Sequence, residues 1–290
     1  MTDMKTAIIT DSNSGISPEK GKKLGVFVVP MPIIIDDATY FENVDITRGE
    51  FFEAQASGKN VSSSQPSPGD VTQIWDEVLN SGFDEILYIP MSSKLSGSCN
   101  TAVMLAEDYD GKVQVADIRR VSANMRDAVV KAKKMSDRGV RASEIREKLE
   151  SETMDTIVYV MVDTFEYLKK GGRISPAKAA VGSILNIKPV LSIYDGGLDV
   201  WKKCRGLKKA KASMISGIRD FISEKYPDIP ESRLSIGTAG SLTDEREAKE
   251  WYKAVKNEFP QAHTFYNDLS MSLCCHIGPN AMGISVCCME

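Results

Sequence analysis

The sequence is poor in the side chains that most often carry catalysis or hold metals. Its 290 residues include only 2 histidines. None of its 6 cysteines lies in a Cys-x-x-Cys pair; they are Cys99, Cys204, Cys274, Cys275, Cys287 and Cys288. A chain of this length does not need disulfides to stabilise its core, so we expect reduced thiols in a reducing compartment. A site built from His276 and the four cysteines around it is the alternative.

An excess of basic charge and a long apolar run are both missing. Lys and Arg total 36 against 40 Asp and Glu, for a net charge of -4, which counts against a nucleic-acid-binding protein. No stretch approaches the ~20 apolar residues that cross a bilayer. The short run Ala7-Ile8-Ile9 is flanked by acidic residues and is typical of a strand rather than a signal peptide. The expected location is the cytoplasm.

The first half of the chain alternates strand-like and helix-like patterns. From Val71 to Leu79, apolar residues recur at the spacing of one helix face, with Ser67 as the expected N-cap and Pro68 at the first helical position. Such alternation favours a doubly wound, mainly parallel sheet in a first domain covering 1–150. The predicted strands lie at 5–10, 26–30, 84–90 and 112–117.

The second half mixes strands and helices, and no flexible linker precedes it. Asp195-Gly196-Gly197 is a strong hairpin signal, and Thr243 is the expected N-cap of the last predicted helix. We predict a second α/β domain over 151–290 with a mixed or antiparallel sheet. Its elements are strands at 155–161, 234–238 and 262–267, a hairpin at 188–203, and helices at 177–185, 207–221 and 248–259, after a charged helix near 136–152.

Two serine-rich segments each lead into a predicted helix. They are Ser62-Ser63-Ser64-Gln65-Pro66-Ser67-Pro68 and Met91-Ser92-Ser93-Lys94-Leu95-Ser96-Gly97-Ser98. Hydroxyls and backbone N–H groups at a helix start suit a carboxylate or phosphate, and Gly97 permits close approach to the backbone. No P-loop and no Gly-x-Ser-x-Gly elbow occurs, so binding a small anion is favoured over cleaving an ester. A plain capping loop is the alternative for the first segment.

Cations and one histidine cluster in the second half. Lys169-Lys170-Gly171-Gly172-Arg173 surrounds a Gly-Gly turn with three cations, and arginine pairs a carboxylate through two parallel hydrogen bonds. An exposed, solvated loop is the other interpretation. The Gly278-Pro279 turn after His276 would hold that ring in one orientation. The basic run from Lys202 to Lys211 is either an ordinary exposed face or a docking surface for an acidic partner.

Taken in order, these motifs resemble the DegV family of bacterial fatty-acid-binding proteins. The resemblance covers nearly the whole chain, and its specificity comes from the motifs occurring together. They are Ile9-Thr10-Asp11-Ser12, Ser63-Ser64-Gln65-Pro66-Ser67, Ser92-Ser93-Lys94-Leu95-Ser96-Gly97-Ser98, Leu168-Lys169-Lys170-Gly171-Gly172-Arg173-Ile174, Lys188-Pro189-Val190-Leu191, Arg205-Gly206 and His276-Ile277-Gly278-Pro279.

The resemblance implies two α/β domains with one long-chain fatty acid buried between them. It implies that the hydroxyls of Ser63 and Ser96 bind the carboxylate, beside Gly97. Arg173 and His276 would lie nearby and organise the carboxylate or its phosphorylated form. On this interpretation the protein is a lipid carrier and not an enzyme, and it needs no metal or cofactor besides the bound fatty acid.

The resemblance also implies a protein partner. In bacteria that carry the system, proteins of this kind present the fatty acid to a separate kinase subunit, which makes an acyl phosphate for phospholipid synthesis. Arg205, with Lys202 and Lys209, would form the docking face for that kinase.

Three positions depart from the family pattern. Ser63 replaces the usual threonine, which keeps the hydroxyl and loses a methyl group. Ser98-Cys99 stands where a small residue followed by tyrosine is common, so the wall near the head group is expected to differ. Asn280 replaces the last glycine of Gly-Pro-Gly, and asparagine tolerates positive φ better than most residues.

The energetics suit a lipid carrier. About 15 buried methylenes supply ~12 kcal/mol at ~0.8 kcal/mol each, before ordering costs of several kcal/mol. The carboxylate must find hydrogen-bond partners once it leaves water. Candidate tunnel residues, which are equally compatible with an ordinary core, are Ile33, Ile34, Met161, Phe165, Leu185 and Ile187.

Two other functions fit the residue types present. The ligand could be another amphipathic acid, such as a bile acid or a branched-chain acid, and the residues do not separate this from a fatty acid. A serine hydrolase or transferase could use Ser96 with His276 as base and Asp11 or Asp244 as the orienting carboxylate. The missing nucleophile elbow counts against that enzyme.

Overall fold

The computed structural model of the protein describes residues 4–175 and 186–289. The chain forms two compact units, one made of residues 1–121 and 125–153 and the other of 122–124 and 154–290. Each unit is described by itself below. The helix predicted after Ser175-Pro176 lies outside the described residues, as does the tunnel candidate Leu185. The domain ranges 1–150 and 151–290 stay predictions.

The first unit is built on a parallel sheet, as predicted. Four strands lie in the order β2-β1-β6-β7, and every neighbouring pair is parallel. A three-stranded antiparallel sheet, β4-β3-β5, accompanies it. The elements in chain order are β1 (Thr6–Asp11), α1 (Pro18–Leu24), β2 (Phe27–Val29), β3 (Pro32–Ile35), β4 (Ala38–Phe41), α2 (Arg48–Ala56), β5 (Val61–Ser63), α3 (Pro68–Asn80), β6 (Glu85–Ile89), α4 (Ser98–Ala106), β7 (Val113–Val115), α5 (Ser122–Ser136) and α6 (Ala142–Ser151).

Helix α3 forms where the apolar spacing predicts it. Ser67 is its N-cap: the Ser67 hydroxyl accepts from the N–H of Asp70 at 3.1 Å, and the Asp70 carboxylate accepts from the N–H of Ser67 at 3.3 Å. Pro68 stands at the first helical position, where a missing N–H costs nothing. Val71, Trp75 and their neighbours pack onto the parallel sheet. Burial of this face stabilises the helix more than its intrinsic propensity does.

The two central strands create a switch point in the parallel sheet. The chain leaves β1 toward β2 on one side and leaves β6 toward β7 on the other. Right-handed crossovers then place helices on opposite faces and leave a crevice at the carboxyl ends of β1 and β6. The short 3-10 turn Ser12–Ser14 follows β1 at this edge, and the segment Met91–Ser98 follows β6.

The three-stranded sheet was not predicted from the sequence. Its central strand β3 reads Pro-Ile-Ile-Ile, a short apolar run that lacks a two-residue alternation. Ile33 is fully buried and pairs across the ladder with Ser63, the last residue of β5. The sheet therefore determines where Ser63 stands.

The second unit has a six-stranded mixed sheet, which confirms the prediction for this half. The strand order is β10-β9-β8-β13-β11-β12; β11 and β12 are parallel, and all other neighbours are antiparallel. The elements are β8 (Thr156–Met161), α7 (Glu166–Lys170), β9 (Ile187–Tyr194), β10 (Gly197–Arg205), α8 (Leu207–Lys225), β11 (Leu234–Gly240), α9 (Glu245–Glu258), β12 (His263–Asp268), α10 (Met271–Ile277) and β13 (Met282–Cys288).

The hairpin and the last amphipathic helix test two local predictions. Asp195 and Gly196 have φ of 49° and 72°, the two left-handed residues of a tight hairpin turn, so the hairpin is confirmed. The N-cap assigned to Thr243 is wrong. Asp244 caps α9 instead, and its carboxylate accepts from the N–H of Arg246 at 2.8 Å. A carboxylate satisfies the helix start with a full negative charge, which a hydroxyl does not carry.

The mixed sheet is covered on both faces. On one face, α8 and α9 bury Met214, Ile218 and Trp251 against the strands. On the other, Phe165 and Leu168 pack on Val160 and neighbouring apolar residues. Across residues 4–175 and 186–289, no helix is both long enough and apolar enough to span a membrane.

Candidate anion-binding site

The segment Met91–Ser98 is organised around Ser92. The Ser92 N–H donates to the carbonyl of Arg120 at 3.0 Å, and its own carbonyl accepts from the N–H of Ser96 at 3.1 Å. Ser96 is half-buried, and its hydroxyl oxygen accepts from the N–H of Ser98 at 3.2 Å. That contact uses the hydroxyl only as an acceptor, and the Ser96 O–H is a donor in its own right. A carboxylate oxygen is a suitable acceptor.

The two serine-rich segments lie side by side. The side-chain amide of Gln65, from the first segment, donates to the hydroxyl of Thr101 in α4 at 3.3 Å. A Cβ placed on Gly97 would lie 3.3 Å from the side-chain oxygen Oε1 of Gln65, which is tighter than most real contacts. Ser63 is half-buried two residues before Gln65. Ser63, Ser96 and Gly97, all predicted from sequence, therefore belong to adjoining segments of one unit.

Asp11, the last residue of β1, contacts the second of these segments through Met91. Its two carboxylate oxygens accept from the N–H groups of Asn13 and Met91, each at 2.8 Å. The side chain is 0% exposed, and burial raises its pKa to about 6 even though the hydrogen bonds lower it. The sequence suggested Asp11 only as a motif position and as a possible partner of a catalytic histidine. Both of its oxygens face backbone amides instead.

In the second unit, two glycines allow α7 and α10 to pack closely. The His276 ring lies so near Gly171 that a Cβ there would overlap Nδ1 and Cε1. The Tyr167 ring lies equally near Gly278, whose φ is 73°. The two sequence motifs that contain Arg173 and His276 are therefore in direct contact: the His276 ring lies on Gly171, and the ring of Tyr167, one residue before the first motif, lies on Gly278.

Arg173 completes this cluster. Its guanidinium donates to the carbonyl of Gly171 at 2.6 Å, and its own N–H donates to the carbonyl of Leu168 at 2.9 Å, which ends α7. The residue is exposed. Burial first, and the Arg173 cation second, lower the pKa of His276 to about 4. At neutral pH the imidazole is therefore uncharged beside a permanently charged guanidinium.

The turn after His276 places Asn280 in the left-handed region of backbone conformation. Its φ is 61°, a value that glycine adopts freely and asparagine tolerates better than most residues. Its side-chain amide donates to Asp163 at 3.3 Å, and the other oxygen of Asp163 pairs with Lys188 at 2.6 Å. The turn is thus also held by a polar contact to the end of β8.

A pocket of about 120 Å³ opens beside Arg173 in the second unit. Apolar side chains of Ile174, of β9 and of β10 line it together with polar and charged residues, Asp199 among them. Small-molecule sites usually enclose ~300–1,000 Å³. This pocket is therefore large enough for part of a ligand. It is lined by Arg173, Ile174, Ser175, Leu191, Leu198, Asp199 and Val200.

The three basic residues predicted to dock a partner are exposed. Lys202 and Arg205 lie on β10, the edge strand of the mixed sheet, and Lys209 lies in the first turn of α8. The Lys202 ammonium sits 4.1 Å from the centre of the Trp201 ring. Lysines on an edge strand also prevent edge-to-edge pairing with other chains, so their position alone does not establish a docking surface.

Cysteine chemistry gains no support within the part of the chain that the structure describes. No group of three or more His, Cys, Asp or Glu side chains there is arranged to hold a metal ion. Cys99 and Cys204 are buried free thiols. Burial raises the pKa of Cys99 to about 12, so it stays protonated and unreactive at neutral pH.

The serine-hydrolase alternative loses both of its proposed orienting carboxylates. Asp11 is bound to two backbone amides. Asp244 caps α9 and pairs with Arg246 at 2.9 Å. A third member of a catalytic triad must instead accept from the histidine ring.

Comparison with known proteins agrees with the resemblance to the DegV family that the motifs indicate. The family model for the DegV family matches residues 5–288. A DegV domain-containing protein of Caldanaerobacter subterraneus subsp. tengcongensis is 34% identical over 283 residues, which are 97% of this chain and 98% of that protein.

Solved structures match over the same length. One described as showing fatty acid binding of a DegV family protein from Thermus thermophilus has a TM-score of 0.87 at 29% identity, and covers 99% of this chain and 100% of that one. A DegV lipid binding protein from Thermotoga maritima has a TM-score of 0.83 at 25% identity, and covers 99% of each chain. With a family match over nearly its full length, this chain belongs to the DegV family.

Proposed function

We propose that this protein binds a long-chain fatty acid and presents its carboxylate to a separate fatty-acid kinase subunit. It acts as a lipid carrier and catalyses no step of its own, and it works in the cytoplasm. The observation that carries the proposal is the match to a fatty-acid-binding DegV structure, at 29% identity over 99% of this chain. The proposed ligand-binding residues are Ser63, Ser96, Gly97, Arg173 and His276.

The hydroxyl groups of the first unit support this assignment. A carboxylate removed from water must receive several hydrogen bonds. Ser96 carries an O–H that can donate to a carboxylate while its oxygen accepts from the N–H of Ser98. The N-terminus of α4 begins at the next residues and favours negative charge. Gly97 has no side chain to obstruct the approach of a head group.

The second unit supplies a cation and a neutral hydrogen-bonding ring. Arg173 is exposed, and a guanidinium suits an anion because it can pair a carboxylate through two parallel hydrogen bonds. The lowered pKa of His276 keeps its imidazole uncharged at neutral pH. A neutral imidazole can act as donor or acceptor, which suits a carboxylate that must be held and then phosphorylated.

An acyl chain needs an apolar surface near the cation. The pocket beside Arg173 offers one, with walls from Leu191, Leu198 and Val200. Its volume of about 120 Å³ accommodates part of a long chain. Each methylene transferred from water contributes ~0.8 kcal/mol, so a few buried carbons already favour an acyl ligand over a short acid.

We propose that Arg205, Lys202 and Lys209 dock the kinase. They are exposed cations on a chain with a net charge of -4, so they form a local positive surface. Opposed surface potentials raise association rates and select partners. The proposed kinase therefore presents an acidic face.

Binding is tested with purified, delipidated protein and long-chain fatty acids, by native mass spectrometry and titration. We expect one bound fatty acid and at least tenfold weaker binding in the Ser96→Ala/Arg173→Ala double variant, because each lost hydrogen bond to a charged group is worth ~1.5–3 kcal/mol. Ser151→Ala/Arg246→Ala is the control, since both residues are exposed and lie on other helices. Unchanged affinity in the first variant would refute the site assignment.

Competition decides the class of ligand. A bile acid or a branched-chain acid that displaces the fatty acid at lower concentration would replace it as the preferred ligand. Protein that takes up no acid of any kind would end the carrier proposal. Labelling of Ser96 by an active-site serine probe would instead support the hydrolase.

A further inference from the structure

Asp11 joins the two central strand ends of the parallel sheet through one buried carboxylate. One oxygen accepts from the N–H of Asn13, just after β1, and the other from the N–H of Met91, just after β6. The side chain is 0% exposed, so a ligand arriving from solvent does not touch it. Whatever Asp11 contributes to binding, it contributes through another residue.

The contact to Met91 leads directly to Ser96. Met91 is bonded to Ser92, and the Ser92 carbonyl accepts from the N–H groups of Leu95 and Ser96 at 3.0 and 3.1 Å. The Ser92 hydroxyl also accepts from the N–H of Lys94 at 3.2 Å. The peptide unit that Asp11 holds is therefore the first of a segment in which Lys94, Leu95 and Ser96 all donate to Ser92. Asp117 holds Ser93, the residue between Ser92 and Lys94, by accepting from its N–H at 3.2 Å.

Holding two strands together does not require a carboxylate. Thr10, the preceding residue of β1, ties the same strands with a neutral hydroxyl that donates to the carbonyl of Ile89 at 2.9 Å. A fully buried carboxylate is a costly group, as its raised pKa of about 6 shows. Only a charged acceptor, however, binds two backbone donors on separate segments with both of its oxygens.

We propose that Asp11 is a positioning residue that orients the Met91–Ser98 segment so that the Ser96 hydroxyl faces the ligand carboxylate. The inference rests on the proposed function for its ligand, but the position of the segment can be measured without any ligand.

Asp11→Asn is the sharpest variant. Asparagine keeps one carbonyl oxygen and is a good cap, so it can still accept from Asn13. Its NH₂ group then faces the N–H of Met91, and two donors do not bond. We expect fatty-acid affinity to fall by about tenfold, the usual consequence of losing a hydrogen bond to a charged group. Thr10→Val is the matched control: it removes a bond between the same strands, and its affinity should stay within about twofold of wild type.

A double-mutant cycle separates positioning from general destabilisation. If Asp11 acts through Ser96, then Asp11→Asn in a Ser96→Ala background should change affinity by less than about twofold. The assignment would be overturned if the affinity losses of Asp11→Asn and Ser96→Ala add in the double variant, or if Thr10→Val loses as much affinity as Asp11→Asn.

Hydrogen exchange tests the same point in the absence of ligand. The amides of Leu95 and Ser96 should exchange at least about tenfold faster in Asp11→Asn than in Thr10→Val, because only the first variant releases the segment. Equal exchange in the two variants would overturn the positioning role. Wild-type protein that binds no fatty acid would sink the proposed function, while the exchange rates would still decide the role of Asp11.

Discussion

The imidazole of His276 rests on the α-carbon of Gly171, so closely that the glycine admits no side chain. The carbonyl of Gly171 also accepts from the Arg173 guanidinium at 2.6 Å. One glycine thus orients both the ring and the cation of the proposed site. Its role is close approach, since its φ lies outside the left-handed region.

Gly171→Ala should displace His276 and lower stability. The added methyl group overlaps the ring, and its nearest backbone neighbour, the carbonyl of Tyr167, lies at 3.2 Å. Overpacking of this kind costs about 1–3 kcal/mol, which thermal unfolding measures. Gly49→Ala is the control because Thr47 is 4.0 Å away and the position is helical, so it should be neutral or slightly stabilising. A Gly171→Ala protein with wild-type stability and fatty-acid affinity would contradict this packing.

His276 should titrate near pH 4 rather than 6.5. Burial and the Arg173 cation both lower its pKa, and NMR titration of the ring measures it directly. Because the folded protein binds this proton more weakly than the unfolded chain, the contribution to stability is complete above pH 6.5 and is lost as the pH falls toward 4. Arg173→Gln should raise the pKa only partly, since burial is the larger cause.

Asp11 acts in the opposite direction over nearly the same pH range. Its pKa rises from 3.8 to about 6 on burial, so its contribution to stability is lost as the pH rises through that range. The two pH dependences of stability therefore partly cancel, and the melting temperature of wild type alone shows neither of them. The difference between wild type and His276→Gln cancels the common contribution of Asp11. That difference should shrink between pH 6.5 and 4; a constant difference would show that His276 titrates normally.

Replacement of Asn280 by glycine should destabilise the protein less than replacement by alanine. Its φ of 61° suits glycine, whereas alanine in the left-handed region costs ~1–2 kcal/mol. Asn280→Gly loses the hydrogen bond to Asp163, which is exposed and contributes little. Chemical denaturation should rank Asn280→Gly above Asn280→Ala in stability. The reverse order would show that the contact to Asp163, rather than the backbone, determines the turn.

Charge reversal on the basic surface should weaken transfer to the kinase without weakening lipid binding. Lys202→Glu, Arg205→Glu and Lys209→Glu are each expected to lower kcat/KM for acyl phosphate formation, together by tenfold or more at low salt, since electrostatic association is steered by these charges. Added salt should narrow the gap from wild type because it screens the attraction.

Lys249→Glu is the control for that experiment. Lys249 is exposed on α9 and pairs with Glu245, away from β10. Equal losses in Lys249→Glu and in the basic-surface variants would indicate a general charge effect and no defined docking face.

Local patterns were sufficient for the elements whose signals are local. The spacing of Val71 and Trp75 predicts α3, the Ser67 cap marks where it begins, and Asp195-Gly196 predicts the hairpin turn. They were insufficient where several residues compete for one role. Thr243 and Asp244 both suit an N-cap, and the carboxylate wins because its charge complements the helix dipole.

The sequence alone determined the α/β class, the parallel and mixed sheets and the family, because hydrophobic period and turn chemistry are properties of neighbouring residues. Tertiary structure decided which side chains are buried and what they face. The contact of His276 with Gly171, the neutral state of that ring and the double hydrogen bond of Asp11 all depend on segments that are distant in the chain. Desolvation and close packing arise only when those segments meet, and no local pattern encodes them.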